Sequence, residues 1–220
     1  SAPGAAGSIG ASYVVFGKTG GFSSNIDLSS LNGTTGFKLS GAAVGDQSGF
    51  SVASAGDING DGFADLIVGA RNAAANGNGS GASYVVFGKA SGFASNINLS
   101  SLDGTNGFKL SGAAAGDASG YSVASAGDVN GDGFDDLIIG APHAASTAGA
   151  SYVVFGTAGG FASNINLSSL DGSNGFKLAG PAGGTASGFS VASAGDLNND
   201  GIGDLIVGAP LGGAGASYVV

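Results

Sequence analysis

The chain has 220 residues, 46 of them Gly, a mean hydropathy of +0.31 and a formal net charge of -9. Charged residues make up only 10%, and the six Lys and Arg are scattered, which excludes the basic stripe of a nucleic-acid-binding surface. There is no Cys, so a disulfide framework and thiolate metal sites are excluded, and no apolar run is long enough to span a bilayer.

Low charge with abundant Gly is common in disordered chains, but regularly recurring Phe and Tyr and the positive hydropathy indicate a folded β protein rich in small residues. The order comes from internal repetition. GASYVVFG begins at Gly10, Gly81 and Gly149, and a shortened GASYVV at Gly215. GFKLSG at Gly36 and Gly107 returns as GFKLAG at Gly175, and SGFSVASAGD at Ser48 returns as SGYSVASAGD at Ser119 and unchanged at Ser187.

In chain order, residues 1–41 supply two strands, SYVVF and FKL, the last two of a blade. Residues 42–112 and 113–180 each supply four: FSVASAG or its Tyr variant, DLIVGA or DLIIGA, SYVVF and FKL. Residues 181–220 supply the first three of a further blade. The second and third strands are unbroken apolar runs bounded by Gly, which predicts strands covered on both faces. A four-stranded unit repeated in this way predicts an all-β fold of β-propeller blades with four antiparallel strands each. Three blade-equivalents do not close a ring. Either the chain is part of a longer array, or copies associate as homo-oligomers through complementary terminal half-blades.

All fifteen acidic residues are Asp, and nine of them stand at positions 1, 5 and 9 of three copies of one motif. The candidate metal ligands are Asp57, Asn59, Asp61, Phe63 and Asp65 in the first copy. They are Asp128, Asn130, Asp132, Phe134 and Asp136 in the second, and Asp196, Asn198, Asp200, Ile202 and Asp204 in the third. Side-chain oxygens at positions 1, 3, 5 and 9, with the carbonyl of position 7, suit one Ca²⁺ per loop. Gly62, Gly133 and Gly201 at position 6 allow the sharp turn. Asn199 replaces Gly60 and Gly131 at position 4, where Asn tolerates a left-handed backbone. Asp-Gly and Asn-Gly turns alone account for one such residue per loop, not for the alternating array three times over. An EF-hand would end with Glu at position 12 before a helix, where this chain has Val68, Ile139 and Val207 in strand-like runs.

SGFSVASAGDINGDGFADLIVGA and its two relatives resemble the FG-GAP repeat of integrin α-subunit β-propellers and of many bacterial surface proteins. The resemblance covers essentially the whole chain and implies that the loop between the first two strands of a blade holds Ca²⁺. This chain departs from it at Phe50-Ser51, Tyr121-Ser122 and Phe189-Ser190, which stand for Phe-Gly, and at Arg71, which replaces the Pro found at Pro142 and Pro210.

Catalysis finds no support. His143 is the single His and reads as an exposed loop residue, and the Ser residues lack a general base. The expectation is a secreted or cell-surface calcium-binding module that is not an enzyme, contacting a protein or glycan. The alternative is a self-assembling element of an extracellular layer or filament. Arg71, His143 and the 72–80 loop are the blade-specific features, whereas Lys18 and Lys89, and Lys38, Lys109 and Lys177, repeat with the blades and are expected to cap strand ends. Asn32, Asn78, Asn98 and Asn166 lie in Asn-X-Ser/Thr sequons.

Overall fold

The computed structural model describes residues 8–181 and 183–220; residues 1–7 of the leading segment and residue 182 of the last one lie outside the described residues. The first sheet holds β1 (Ala11–Val15) and β2 (Gly36–Ser40). The second holds β3 (Ser51–Gly56), β4 (Asp65–Ala70), β5 (Ala82–Val86) and, after the short β6 (Asn96–Asn98), β7 (Gly107–Ser111). The third repeats it with β8 (Ser122–Gly127), β9 (Asp136–Ala141), β10 (Ala150–Val154) and, after β11 (Asn164–Asn166), β12 (Gly175–Ala179). The fourth is β13 (Ser190–Gly195), β14 (Asp204–Ala209) and β15 (Ala216–Val219). Within each blade, neighbouring strands run antiparallel in chain order, and no sheet closes into a barrel.

Burial follows the number of neighbours each blade has. Every residue of β9 and β10, in the third sheet, is buried, whereas every residue of β15 is exposed. The same DLI(V/I)GA and SYVV text therefore becomes a two-sided core strand only where a blade packs on either face. The innermost strand β8 lies between β3 and β13. Glycine makes this approach feasible, because a Cβ on Gly69 or Gly140 would collide with the carbonyl of Gly120 or Gly188 in the next blade. Those same carbonyls accept from Ser51 Oγ and Ser122 Oγ, both at 2.9 Å.

At the outer edge the blades are tied by a device absent from the sequence reading. The link between the third and fourth strands of each full blade reaches back and adds a parallel strand to the preceding blade: β6 pairs with β2, and β11 with β7. Ser40 Oγ and Ser111 Oγ donate to Asn96 and Asn164 at 2.7 and 2.6 Å. Just upstream, Phe93 stacks on Phe37 with ring centroids 4.6 Å apart, and Phe161 on Phe108 at 4.3 Å. The expectation for the lysines is corrected in part: Lys38, Lys109 and Lys177 sit in mid-strand, opposite Tyr13, Tyr84 and Tyr152. At the third of these pairs the Lys177 ammonium lies over the Tyr152 ring, 5.7 Å from its centre.

Phe161→Ala removes the half-buried ring that clamps the third blade to Phe108 and Phe87. Urea unfolding should show a loss of about 2–3 kcal/mol. A change below about 0.5 kcal/mol would contradict this role for the stack.

Candidate metal centre

The three acidic loops connect β3 to β4, β8 to β9 and β13 to β14, so they occupy the same corner of consecutive blades. Each inner strand ends on a glycine with φ near +70° (Gly56, Gly127, Gly195), where a register shift turns the chain into the loop. Position 6 has φ of 87°, 90° and 89° at Gly62, Gly133 and Gly201, and Asn199 adopts 60° where Gly60 and Gly131 have 71° and 75°.

Within the loops the hydrogen bonding repeats almost atom for atom. Asp57 accepts from the N–H groups of Asp61 and Gly62 at 3.0 and 2.8 Å. Asp128 accepts from Asp132 and Gly133, and Asp196 from Asp200 and Gly201. Asn59, Asn130 and Asn198 each accept from the N–H two residues on, and each amide donates to the carboxylate there. Asp61, Asp132 and Asp200 in turn accept from the N–H of Phe63, Phe134 and Ile202. At Asp128 burial pushes the carboxyl up, but N–H groups of Gly133, Gly131, Asp132 and Asn130 together outweigh it and hold it below the usual carboxylate range.

Position 9 is different in kind. Asp65 and Asp136 open β4 and β9 and are fully buried. Asp65 accepts from Ile58 N–H at 3.1 Å and from Gly88 N–H at 2.7 Å. Asp136 accepts from Val129 and Gly156 at 2.9 and 2.8 Å. Burial, aided by the like charges at positions 1 and 5, pushes both carboxyls up to about 6 despite these bonds. Asp204 accepts from Leu197 N–H at 2.7 Å and is only half-buried.

Among the described residues no three acidic or imidazole side chains are already gathered around one point as a cation would hold them. The Asp and Asn oxygens are turned onto main-chain N–H groups instead. The donor set nevertheless fits a hard divalent cation: within one tight turn it offers carboxylate, amide and carbonyl oxygens and no nitrogen or sulfur ligand. It also contains a buried carboxylate whose ionisation a cation would favour.

The opposite end of the inner strands carries a second recurring feature. Phe50, Tyr121 and Phe189, each just before its inner strand, form a row with centroid spacings of 5.0 and 4.7 Å. The Arg71 guanidinium lies 3.8 Å from the Phe50 ring centre and 5.3 Å from that of Tyr121. His143 is exposed on the loop after β9, with its ring 6.4 Å from Tyr121. The sequence marked these aromatics only as departures from a Phe-Gly pair; their shared position within the repeat was the available signal for the row.

Blade-forming sheets that carry the same acidic loop at the same corner define a class of repeat protein. The FG-GAP repeat model matches residues 48–86, 119–154 and 187–220, and the chain belongs to that repeat family. It is 32% identical over 180 residues to integrin alpha-PS5 of Drosophila melanogaster, covering 81% of this chain and 16% of that protein. It is 32% identical over 179 residues to integrin alpha ina-1 of Caenorhabditis elegans, covering 79% and 16%. With integrin alpha-3 of Mus musculus it shares 42% identity over 96 residues, 42% of this chain and 8% of that one. The chain thus spans less than a fifth of the length of these relatives.

Two substitutions separate the turn from the buried carboxylate, both read in chelator. Gly133→Ala has open space for its methyl but must hold φ near 90°, so about 1–3 kcal/mol should be lost. Asp136→Ala leaves the Val129 and Gly156 N–H groups without their acceptor and should cost about 2–3 kcal/mol. Denaturant midpoints equal to the parent's would contradict both assignments.

Proposed function

We propose that this chain is a calcium-binding, extracellular or cell-surface β-propeller module that acts in adhesion by binding a protein or glycan, and that it is not an enzyme. The observation that carries the reading is the threefold recurrence of one oxygen-rich loop, with a buried carboxylate at its end in the two full blades. The printed names of the relatives, integrin alpha subunits, support the adhesion part of it. Among the described residues no helix is long and apolar enough to cross a membrane.

In this reading Asp, Asn and the position 7 carbonyls of each loop supply the ligands, and the cation neutralises carboxylates that otherwise repel one another. Its role is structural: Ile58, position 2 of the first loop, is fully buried in the core shared with the next blade, so fixing the loop fixes the interface. Ligand contact falls to the other end, where the Phe50, Tyr121 and Phe189 row and Arg71 offer aromatic faces and a cationic group together.

Calcium removal tests the first part. With a Kd of about 10⁻⁴ M, 1 mM Ca²⁺ contributes about 1.4 kcal/mol per site. Three sites should therefore raise the melting temperature by about 10 °C over a chelator-treated sample. Coincident melting curves would overturn the calcium assignment. Protein and glycan arrays probed with the parent and with Phe50→Ala/Phe189→Ala test the second. Equal binding by both would remove the aromatic row from recognition.

A further inference from the structure

Consecutive metal loops touch one another, and they do so through the residues that shape each loop. The N–H at position 8 of a later loop donates to the position 1 carbonyl of the loop before it: Asp135 to Asp57 at 3.4 Å, and Gly203 to Asp128 at 2.8 Å. The position 7 side chain of the later loop lies against position 4 of the earlier one. A Cβ on Gly60 would strike the Phe134 ring, and a Cβ on Gly131 would come within 2.9 Å of Ile202 Cδ1. Thr157 N–H, from the blade after the first loop, also donates to Ile58 O at 2.9 Å.

One contact breaks the repeat. Asp135 Oδ2 accepts from the main-chain N–H of Asp57 at 2.8 Å, across 78 residues of sequence. The equivalent position holds Ala64 in the first loop and Gly203 in the third, neither with a side-chain acceptor. Asp135 is not itself at a ligand position of the second loop, and its carboxylate faces away from that loop to the first residue of its neighbour. There it packs against Gly56, where any side chain would displace it.

We propose that Asp135 is a positioning residue for the first metal loop, holding Asp57 from the adjacent blade so that the first and second loops take up divalent cations as a coupled pair. The inference rests on the reading that the loops bind Ca²⁺. A cation in the second loop orders the segment from Asp132 to Asp136, and with it Asp135. An ordered Asp135 pins the Asp57 N–H and lowers the ordering cost of filling the first loop. By linkage the first site strengthens the second by the same factor. Between the second and third loops, among the described residues, the main-chain bond from Gly203 and the Ile202 contact have no side-chain hydrogen bond like that of Asp135 beside them, so coupling there is weaker.

Calorimetric calcium titration of the whole chain tests this, using the parent, Asp135→Ala, Asp135→Asn, Asp132→Ala and Asp200→Ala. Asp132→Ala should weaken the first loop about tenfold, within the usual range of coupling between sites, whereas Asp200→Ala should leave it within about twofold. Asp135→Ala should keep the parent's stoichiometry, lose the cooperativity and weaken one site about tenfold. Asp135→Asn retains an acceptor oxygen for Asp57 N–H and should recover most of the affinity. Unchanged first-loop affinity in both Asp132→Ala and Asp135→Ala overturns the coupling while leaving the metal sites standing. A lower melting temperature of Asp135→Ala in chelator with unaltered calcium constants overturns it too, as a purely structural contact. If Asp135→Ala does not fold, the Asp132→Ala and Asp135→Asn titrations decide alone. No calcium heat in the parent overturns the underlying site assignment instead.

Discussion

The complete burial of the carboxylate that ends the acidic loop in each full blade is the constraint on which the rest of this structure turns. Asp65 and Asp136 are wholly removed from solvent at the first residue of the second strand. Each grips two N–H groups, one inside the acidic loop and one just past the third strand. A single side chain thereby fastens loop, second strand and third strand together. Such a group is costly to desolvate, and two hydrogen bonds offset the cost only in part, as its upward shift to about 6 records. The proposed cation meets the remainder, which makes metal and blade corner one problem rather than two.

The packing between blades follows from the same corner. Position 2 of the first loop, Ile58, enters the core of the next blade, and the main chain beside it bonds to Asp135 and Thr157 there. Further along the sheet the blades meet glycine to glycine, with serine hydroxyls bonding the exposed carbonyls. At the rim they meet through stacked Phe pairs and a borrowed three-residue strand. Small residues at the centre, aromatic ones at the rim and acids at one end explain a composition that is rich in Gly yet folded.

How much of this could be read in the chain depends on the range of the interaction. DLIVGA and SYVVF are legible because a short apolar run bounded by Gly reports its own burial. The acidic loops are legible because alternate Asp residues within nine positions are a local pattern. The borrowed strands Asn96–Asn98 and Asn164–Asn166 are not, since Asn-Ile-Asn has no periodicity and its partner lies in another blade. Lys38 and its equivalents looked like strand ends because FKL is short, but the pairing extends to Ser40, Ser111 and Ala179. Asp135 carries no local signal at all, because its partner, Asp57, lies 78 residues away.

Native mass spectrometry in volatile buffer, with and without added Ca²⁺, tests the central claim most directly, because it counts metal ions on each folded chain. The account predicts discrete additions of up to three calcium masses in the parent, and one fewer when Asp61 or Asp132 is replaced by Ala. A parent chain that takes up no calcium, or takes up the same number after either substitution, would contradict it.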